Sequence, residues 1–296
     1  MSSEFDIGKF RVEYSDVRHA CNAVVIRIRQ YRLPEGNMNS FTIDDSGNVL
    51  RYFDLYSATS PFAPLLFIHG LGCASSSDYP PVAASNSYSK SRSILIDLIG
   101  AGFSDKPEHG KFASEYQATT LSSFIAGEHL SQVNLFGHSA GAFIALKLAK
   151  CLPIPVSTLI LCAPGLNDYG KAMLSEIISM TEAQFIDVGF SQLLAQLKAA
   201  GGNDAWLGPF SVASPRAIYQ WASSALDDNA QNWLEDLARL NSKKGVILSD
   251  TAASEIAKYE QAGCIVELVG NTEHMMAYDN PDGLALAIGN ILKRGA

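Results

Sequence analysis

Short apolar runs alternate along this chain with segments of helical spacing. Runs at 65–68, 94–98, 133–136, 156–162, 245–248 and 264–269 are almost continuously apolar. That is the pattern of strands covered on both faces. Two earlier runs, 40–44 and 49–56, flank Asp45-Ser46-Gly47-Asn48, which is good hairpin chemistry and predicts two antiparallel strands ahead of the others. Residues 23–29 alternate weakly and read as an edge strand; Leu33-Pro34-Glu35-Gly36 reads as a turn. Helical spacing over 115–129, over the apolar stretch after Gly141 and over 281–292 places helices between and after the strands. Strands alternating with helices predict an α/β fold with a mainly parallel sheet flanked by helices.

Residues 166–240 break this rhythm. Helical stretches at 172–180, 190–199, 215–226 and 232–240 are punctuated by Gly201-Gly202 and Gly208-Pro209, with no strand pattern between them. The organisation that follows is an N-terminal extension at 1–38, a core made of 39–165 and 241–296, and a helical cap at 166–240 inserted after the sixth strand. All three tryptophans, Trp206, Trp221 and Trp233, lie in the cap with Phe185, Phe190 and Phe210. They either fill a small core of its own or form an apolar lid, and Trp206 and Trp221 are the candidates for contact with a substrate.

Composition narrows the class. At 296 residues with 47% hydrophobic and 18% charged residues, the chain reads as one large globular domain carrying an insertion. No apolar run reaches the roughly 18–20 residues of a membrane span. A net charge of -8 with no basic cluster argues against a nucleic-acid partner. The amino terminus lacks a basic segment followed by an apolar core, so a cytoplasmic location is expected. Five scattered cysteines, with no metal-ligand spacing, suggest free thiols and call for no metal or cofactor. The oligomeric state is not legible.

The chemistry sits where strands end. His69 and Gly70 follow the run at 65–68, Asp97 closes the run at 94–98, and Gly137-His138-Ser139-Ala140-Gly141 joins the run at 133–136 to a helix. A strand turning into a helix through Gly-x-Ser-x-Gly exposes the serine at the tip of the sheet, above the positive end of the helix. Its glycines are needed because a Cβ at either position would clash with neighbouring backbone. Gly100-Ala101-Gly102 is not a dinucleotide loop, since the third glycine of that motif would fall on Asp105. Downstream, Asp250 follows the strand after the insertion and His274 follows the last strand.

The order Ser139, Asp250, His274, together with HGLG at 69–72, DLIGAGFSDKP at 97–107, GHSAG at 137–141 and EHMMAYDNP at 273–281, closely resembles the α/β-hydrolase superfamily, in its lid-bearing, serine-esterase-like branch. The resemblance spans residues 39–293. It implies Ser139 as nucleophile, His274 as base and Asp250 as the acid that orients the imidazole, with the backbone N–H groups of Leu71 and Ala140 as oxyanion donors. Relatives usually show G-x-x-D at the acid, whereas this chain reads Val246-Ile247-Leu248-Ser249-Asp250, so Asp168, after the preceding strand, and Glu255 stay open as alternative acids. His69 resembles the family's structural histidine, and Asp97 is better explained as organising the loop at 100–104. His138, at the elbow's variable position, and Met275 are further candidates for substrate contact.

The expected function is hydrolysis of a small apolar or aromatic carboxylic ester through an acyl-enzyme. The same triad also suits an amide or peptide, a thioester, a lactone or a C–C bond in a diketone. A noncatalytic small-ligand-binding member is the reading from another class. A serine at the elbow argues against the epoxide-hydrolase and dehalogenase branches, which use an aspartate there.

Overall fold

The computed structural model describes residues 37–55, 62–88, 91–202 and 204–294, leaving the Tyr169 side chain aside. The strand expected at 23–29, and with it most of the N-terminal extension, lies outside the described residues. Eight strands form one sheet: β1 (Met38–Thr42), β2 (Val49–Leu55), β3 (Leu65–Ile68), β4 (Ser93–Asp97), β5 (Val133–His138), β6 (Val156–Cys162), β7 (Lys243–Ser249) and β8 (Ile265–Val269). Their order is β1-β2-β4-β3-β5-β6-β7-β8. β1 and β2 pair antiparallel, as do β2 and β4, and every later pairing is parallel. This is the α/β architecture the pattern predicts. The helices of seven or more residues are α1 (Ser114–Gly127), α2 (Ala140–Cys151), α3 (Asp168–Ile178), α4 (Phe190–Ala200), α5 (Asp204–Ser211), α6 (Pro215–Ala230), α7 (Trp233–Arg239) and α8 (Pro281–Lys293). None of the described helices is long and apolar enough to cross a membrane.

Because side chains alternate along a strand, each central strand feeds two cores. Leu66, Ile68, Leu135, Leu159 and Leu161 face one side and pack with Phe124 of α1 and Ile144 of α2. Leu65, Phe67, Phe136 and Ile160 face the other and pack with Tyr79 and with Ile288 of α8. All of them are buried. That double burial explains why these runs lack polar alternation. At the hairpin, the Asp44 carboxylate accepts from the N–H groups of Ser46 (3.0 Å) and Asn48 (3.1 Å), so the polar cluster at 45–48 turns the chain as expected.

Between β6 and β7 the described chain forms helices and no strand. One helix there departs from the sequence pattern: Gly208-Pro209 reads as punctuation, yet α5 runs through it with Pro209 inside. Phe210 is fully buried in the core cluster and Trp206 packs against it at 4.4 Å between ring centroids. Burial of two aromatics, a few kcal/mol together, outweighs the local propensity. These helices share the core on the α1/α2 side, through Leu174, Phe185, Phe210 and Trp221.

A polar clamp ties α6 to the core helices. The buried Asp228 carboxylate accepts from Ser114 Oγ at 2.6 Å and pairs with Lys147 Nζ at 2.9 Å, while Lys147 also contacts Glu115. Burial lowers the pKa of the Lys147 ammonium, but the two carboxylates outweigh it and hold the ammonium above its ordinary value. Removing one partner strands a buried charge. Asp228→Ala is therefore expected to cost roughly 3 kcal/mol in urea unfolding, and Asp228→Leu combined with Lys147→Met to recover most of that loss.

Candidate active site

β5 is buried along its whole length and ends at a sharp turn. There Ser139 adopts φ 53° and ψ −124°, a left-handed conformation that costs a non-glycine residue about 1–3 kcal/mol. Two hydrogen bonds hold it: Ser139 N–H donates to Cys162 O of β6 (2.9 Å), and Ser139 O accepts from Ala142 N–H (2.9 Å). The flanking glycines have the predicted reason. A Cβ on Gly141 would sit 2.3 Å from His69 O and 2.7 Å from Ile68 O, and one on Gly137 would sit 2.6 Å from Gly141 O.

The structure brings Ser139 and His274 together, with Ser139 Oγ 2.9 Å from His274 Nε2. The hydroxyl donates to a neutral imidazole there, which puts the ring proton on Nδ1. The surrounding packing lowers the His274 pKa below 6.5, with the Asp279 carboxylate pulling the other way. His138, proposed from its position as a substrate contact, is instead buried beneath the site. Its Nε2–H donates to the His274 carbonyl oxygen at 2.9 Å, and the two rings lie 5.0 Å apart. Burial, followed by the nearby His274, depresses the His138 pKa to about 3, so it stays neutral.

Asp250 follows β7 as expected, but it is exposed and its carboxylate accepts from Asn271 N–H at 3.4 Å. It grips the backbone of the loop carrying His274, and no carboxylate among the described residues hydrogen-bonds the imidazole. Asp168 is no closer in role: it is exposed in the first turn of α3, whose cap is Asn167. Asp279 lies in the loop after His274, where its carboxylate accepts from Glu273 N–H at 2.9 Å. Its charge favours the protonated form of His274, and no pattern in the sequence marks it. The same loop is pinned by Tyr278, whose hydroxyl donates to the buried Asp78 at 2.8 Å.

Leu71 and Ala140 have the backbone groups an oxyanion needs. Ala140 N–H opens α2, where first-turn donors have no intrahelical acceptor. Neither Ala140 N–H nor Leu71 N–H has an acceptor among the described residues. His69 braces the same end of the sheet: its Nε2 accepts from Leu98 N–H (3.0 Å), so its Nδ1–H donates to Gly70 O (2.8 Å). Asp97 is fully buried and accepts from Ser76 N–H (2.9 Å), Ser76 Oγ (2.7 Å) and Phe103 N–H (2.9 Å), organising the loop at 100–104 as predicted.

The four proposed substrate contacts part company. Trp206 is half-buried against the turn at Leu71, with its indole N–H donating to Leu71 O at 2.7 Å. Trp221 is almost fully buried, packed on His69 at 5.6 Å between centroids, which makes it a core residue. His138 and Met275 line a cavity of about 10 Å³ with Tyr79, Cys162 and Met276. That space suits about one water molecule and no organic substrate.

Comparisons with known proteins agree with this architecture. The family model described as alpha/beta hydrolase fold matches residues 63–262. A 2-hydroxymuconate semialdehyde hydrolase from Pseudomonas putida is 31% identical over 98 residues, an alignment that spans 33% of this chain and only 35% of that protein. Among solved structures, the haloalkane dehalogenase DbeA from Bradyrhizobium elkani superposes with a TM-score of 0.70 at 17% identity, covering 87% of this chain and 98% of that one. A structure from a study of carboxylesterases of Nitrososphaera gargenis superposes with a TM-score of 0.66 at 14% identity, covering 87% and 100%. At such identities the likeness is one of fold.

Two pH effects follow. If His274 must be neutral to act, kcat/KM rises with pH through a midpoint below 6.5 and is level at neutral pH; Asp279→Asn shifts that midpoint lower and Asp250→Asn leaves it in place, as a pH–rate profile would read. His138 binds a proton more weakly folded than unfolded, so its contribution to stability is whole above about 6.5 and is lost as pH falls toward 3. In urea unfolding, the stability lost between pH 7 and pH 4 should be smaller in His138→Gln than in wild type by roughly 3 kcal/mol, the remainder belonging to other groups such as His69.

Proposed function

This chain belongs to the alpha/beta hydrolase fold family, and from that premise we propose that it is a serine hydrolase cleaving small apolar or aromatic carboxylic esters. The observation that carries the reading is the 2.9 Å approach of His274 Nε2 to a serine hydroxyl held in a strained turn above a helix N-terminus. Ser139 Oγ attacks the ester carbonyl while His274 takes its proton. Negative charge then gathers on the former carbonyl oxygen, where the Leu71 and Ala140 N–H groups supply fixed donors. His274 returns the proton to the leaving alcohol, and water, deprotonated by the same imidazole, releases the acid from the acyl-serine. Asp279 favours the imidazolium by its charge; Asp250 serves by holding the loop at Asn271. The aromatics Trp206 and Phe210 beside the Gly70–Cys73 turn support an apolar acyl or aromatic group.

A second reading keeps the same serine and changes the bond to a C–C bond in a diketone, and the 98-residue likeness to a protein named a semialdehyde hydrolase keeps a carbonyl substrate other than an ester in view. A panel of p-nitrophenyl esters of increasing chain length, run beside a 1,5-diketone, separates the two. Short and medium esters are expected to turn over faster. Ser139→Ala should lower ester turnover by about 10⁴-fold or more, His274→Ala by a similar factor, and the double variant by no more than either alone, because the pair acts as a unit. A fluorophosphonate should label Ser139 in the wild type; an unlabelled serine would falsify the mechanism.

A further inference from the structure

We propose that Trp206 is a positioning residue for the oxyanion turn, so that the cap and the transition-state site are one mechanical unit. The inference rests on the serine-hydrolase reading and concerns how its oxyanion donors are held.

The turn runs from Gly70 to Cys73, with Cys73 N–H donating to Gly70 O at 3.1 Å. Gly72, its third residue, has φ +66°, the sign that a type II turn demands at that position and that glycine supplies without strain. Two planar peptides flank Leu71, and a different ring N–H holds the carbonyl of each. His69 Nδ1–H takes Gly70 O at 2.8 Å, which fixes the peptide whose other end is the Leu71 N–H. Trp206 Nε1–H takes Leu71 O at 2.7 Å, which fixes the next peptide. That second peptide is the one that rotates when a type II turn converts to type I. Without a partner on the cap side, Leu71 O could swing through half a circle and present a carbonyl dipole of the wrong sign near the developing oxyanion. The indole N–H removes that alternative.

Packing makes the link stiff. A Cβ on Gly72 would lie 2.3 Å from Phe210 Cδ2 and 3.2 Å from Trp206 Nε1, so α5 sits directly on the turn. Phe210 is fully buried, Trp206 lies 4.4 Å from it between centroids, and Phe190 of α4 stacks on its other side at 5.2 Å. Any outward movement of α5 that admits a substrate lengthens the Trp206–Leu71 hydrogen bond. A substrate that lets the cap settle restores it, and a misfitting one leaves the turn unbraced. Fit under the cap is thereby read out in kcat rather than in KM.

The test uses the full chain and three variants. Trp206→Phe keeps the ring and loses the donor; Trp206→His keeps a ring N–H; Phe190→Leu disturbs the same packing without touching the bond. With p-nitrophenyl butyrate, Trp206→Phe is expected to lower kcat about tenfold with KM within about threefold of wild type. Inhibition by butylboronic acid, which forms a tetrahedral adduct, should weaken by the same factor, while inhibition by butyrate stays unchanged. Trp206→His should recover most of the boronate affinity, and Phe190→Leu should keep kcat within about threefold. The proposal is overturned if Trp206→Phe leaves kcat and boronate affinity intact, if it raises KM alone, or if Phe190→Leu loses as much kcat. Should Trp206→Phe not fold, a boronate affinity in Trp206→His more than about tenfold below wild type overturns it as well. Labelling of wild-type Ser139 keeps the two levels apart: an unlabelled wild type removes the hydrolase reading and this inference together, whereas a labelled wild type with an unaffected Trp206→Phe removes this inference alone.

Discussion

The structure depends on one close approach, where Gly141 at the head of α2 lies against the carbonyl oxygens of Ile68 and His69 at the end of β3. No side chain fits between them. The contact lets β5 turn into α2 within a single strained residue and sets the nucleophile turn beside the Gly70–Cys73 turn. Parallel strands β3 and β5 pair directly, with Ile68 opposite Gly137, so both turns emerge at the same edge of the sheet. The Leu71 and Ala140 N–H groups, without an acceptor among the described residues, belong to these two neighbouring turns. The strain at Ser139 is sustained by two fully buried strands and the hydrogen bond to Cys162 O, which over-determine the backbone there.

Three histidines near this edge take different roles from their hydrogen bonds alone. His69 is buried and bonded through both ring nitrogens to backbone groups, so it braces the oxyanion turn. His138 is buried and spends its Nε2–H on the His274 carbonyl, which joins the elbow to the loop that carries the base. His274 turns its Nε2 to Ser139. Desolvation lowers the pKa of all three, and for the buried His69 and His138 this keeps the rings neutral, so they add no positive charge beside His274.

The helices between β6 and β7 meet the core in two ways. Around α6 the contact is electrostatic, through Asp228, Ser114 and Lys147. Around α5 it is aromatic, with a single polar bond to Leu71 O. The first holds the helices to the core and the second reaches the turn at Leu71.

Much was legible in the one-dimensional pattern because its causes are local or periodic. Double burial writes itself as unbroken apolar runs, so the parallel sheet and the helical segment between β6 and β7 could be read from spacing. The elbow could be read because its two glycines flank the serine in the chain, although only Gly137 answers to local backbone and Gly141 answers to Ile68 and His69 of β3. Other features had no such signature. The helix α5 persists through Gly208-Pro209 because Phe210 and Trp206 are buried by distant partners. Asp250 stands after β7 as expected, with its carboxylate on Asn271 N–H, while Asp279, which no sequence pattern marks, favours the protonated form of His274. Trp206 and Trp221 are equivalent in composition, but one braces a turn and the other sits in the core. The layers of the sheet, the glycine-flanked turn at Ser139 and the helical segment between β6 and β7 are written in the chain, since hydrophobic periodicity and turn chemistry act along it. The contacts of the individual side chains were open until the chain folded, since the bonds of Ser139 to His274, of His138 to the His274 carbonyl and of Trp206 to Leu71 each join residues more than a hundred positions apart.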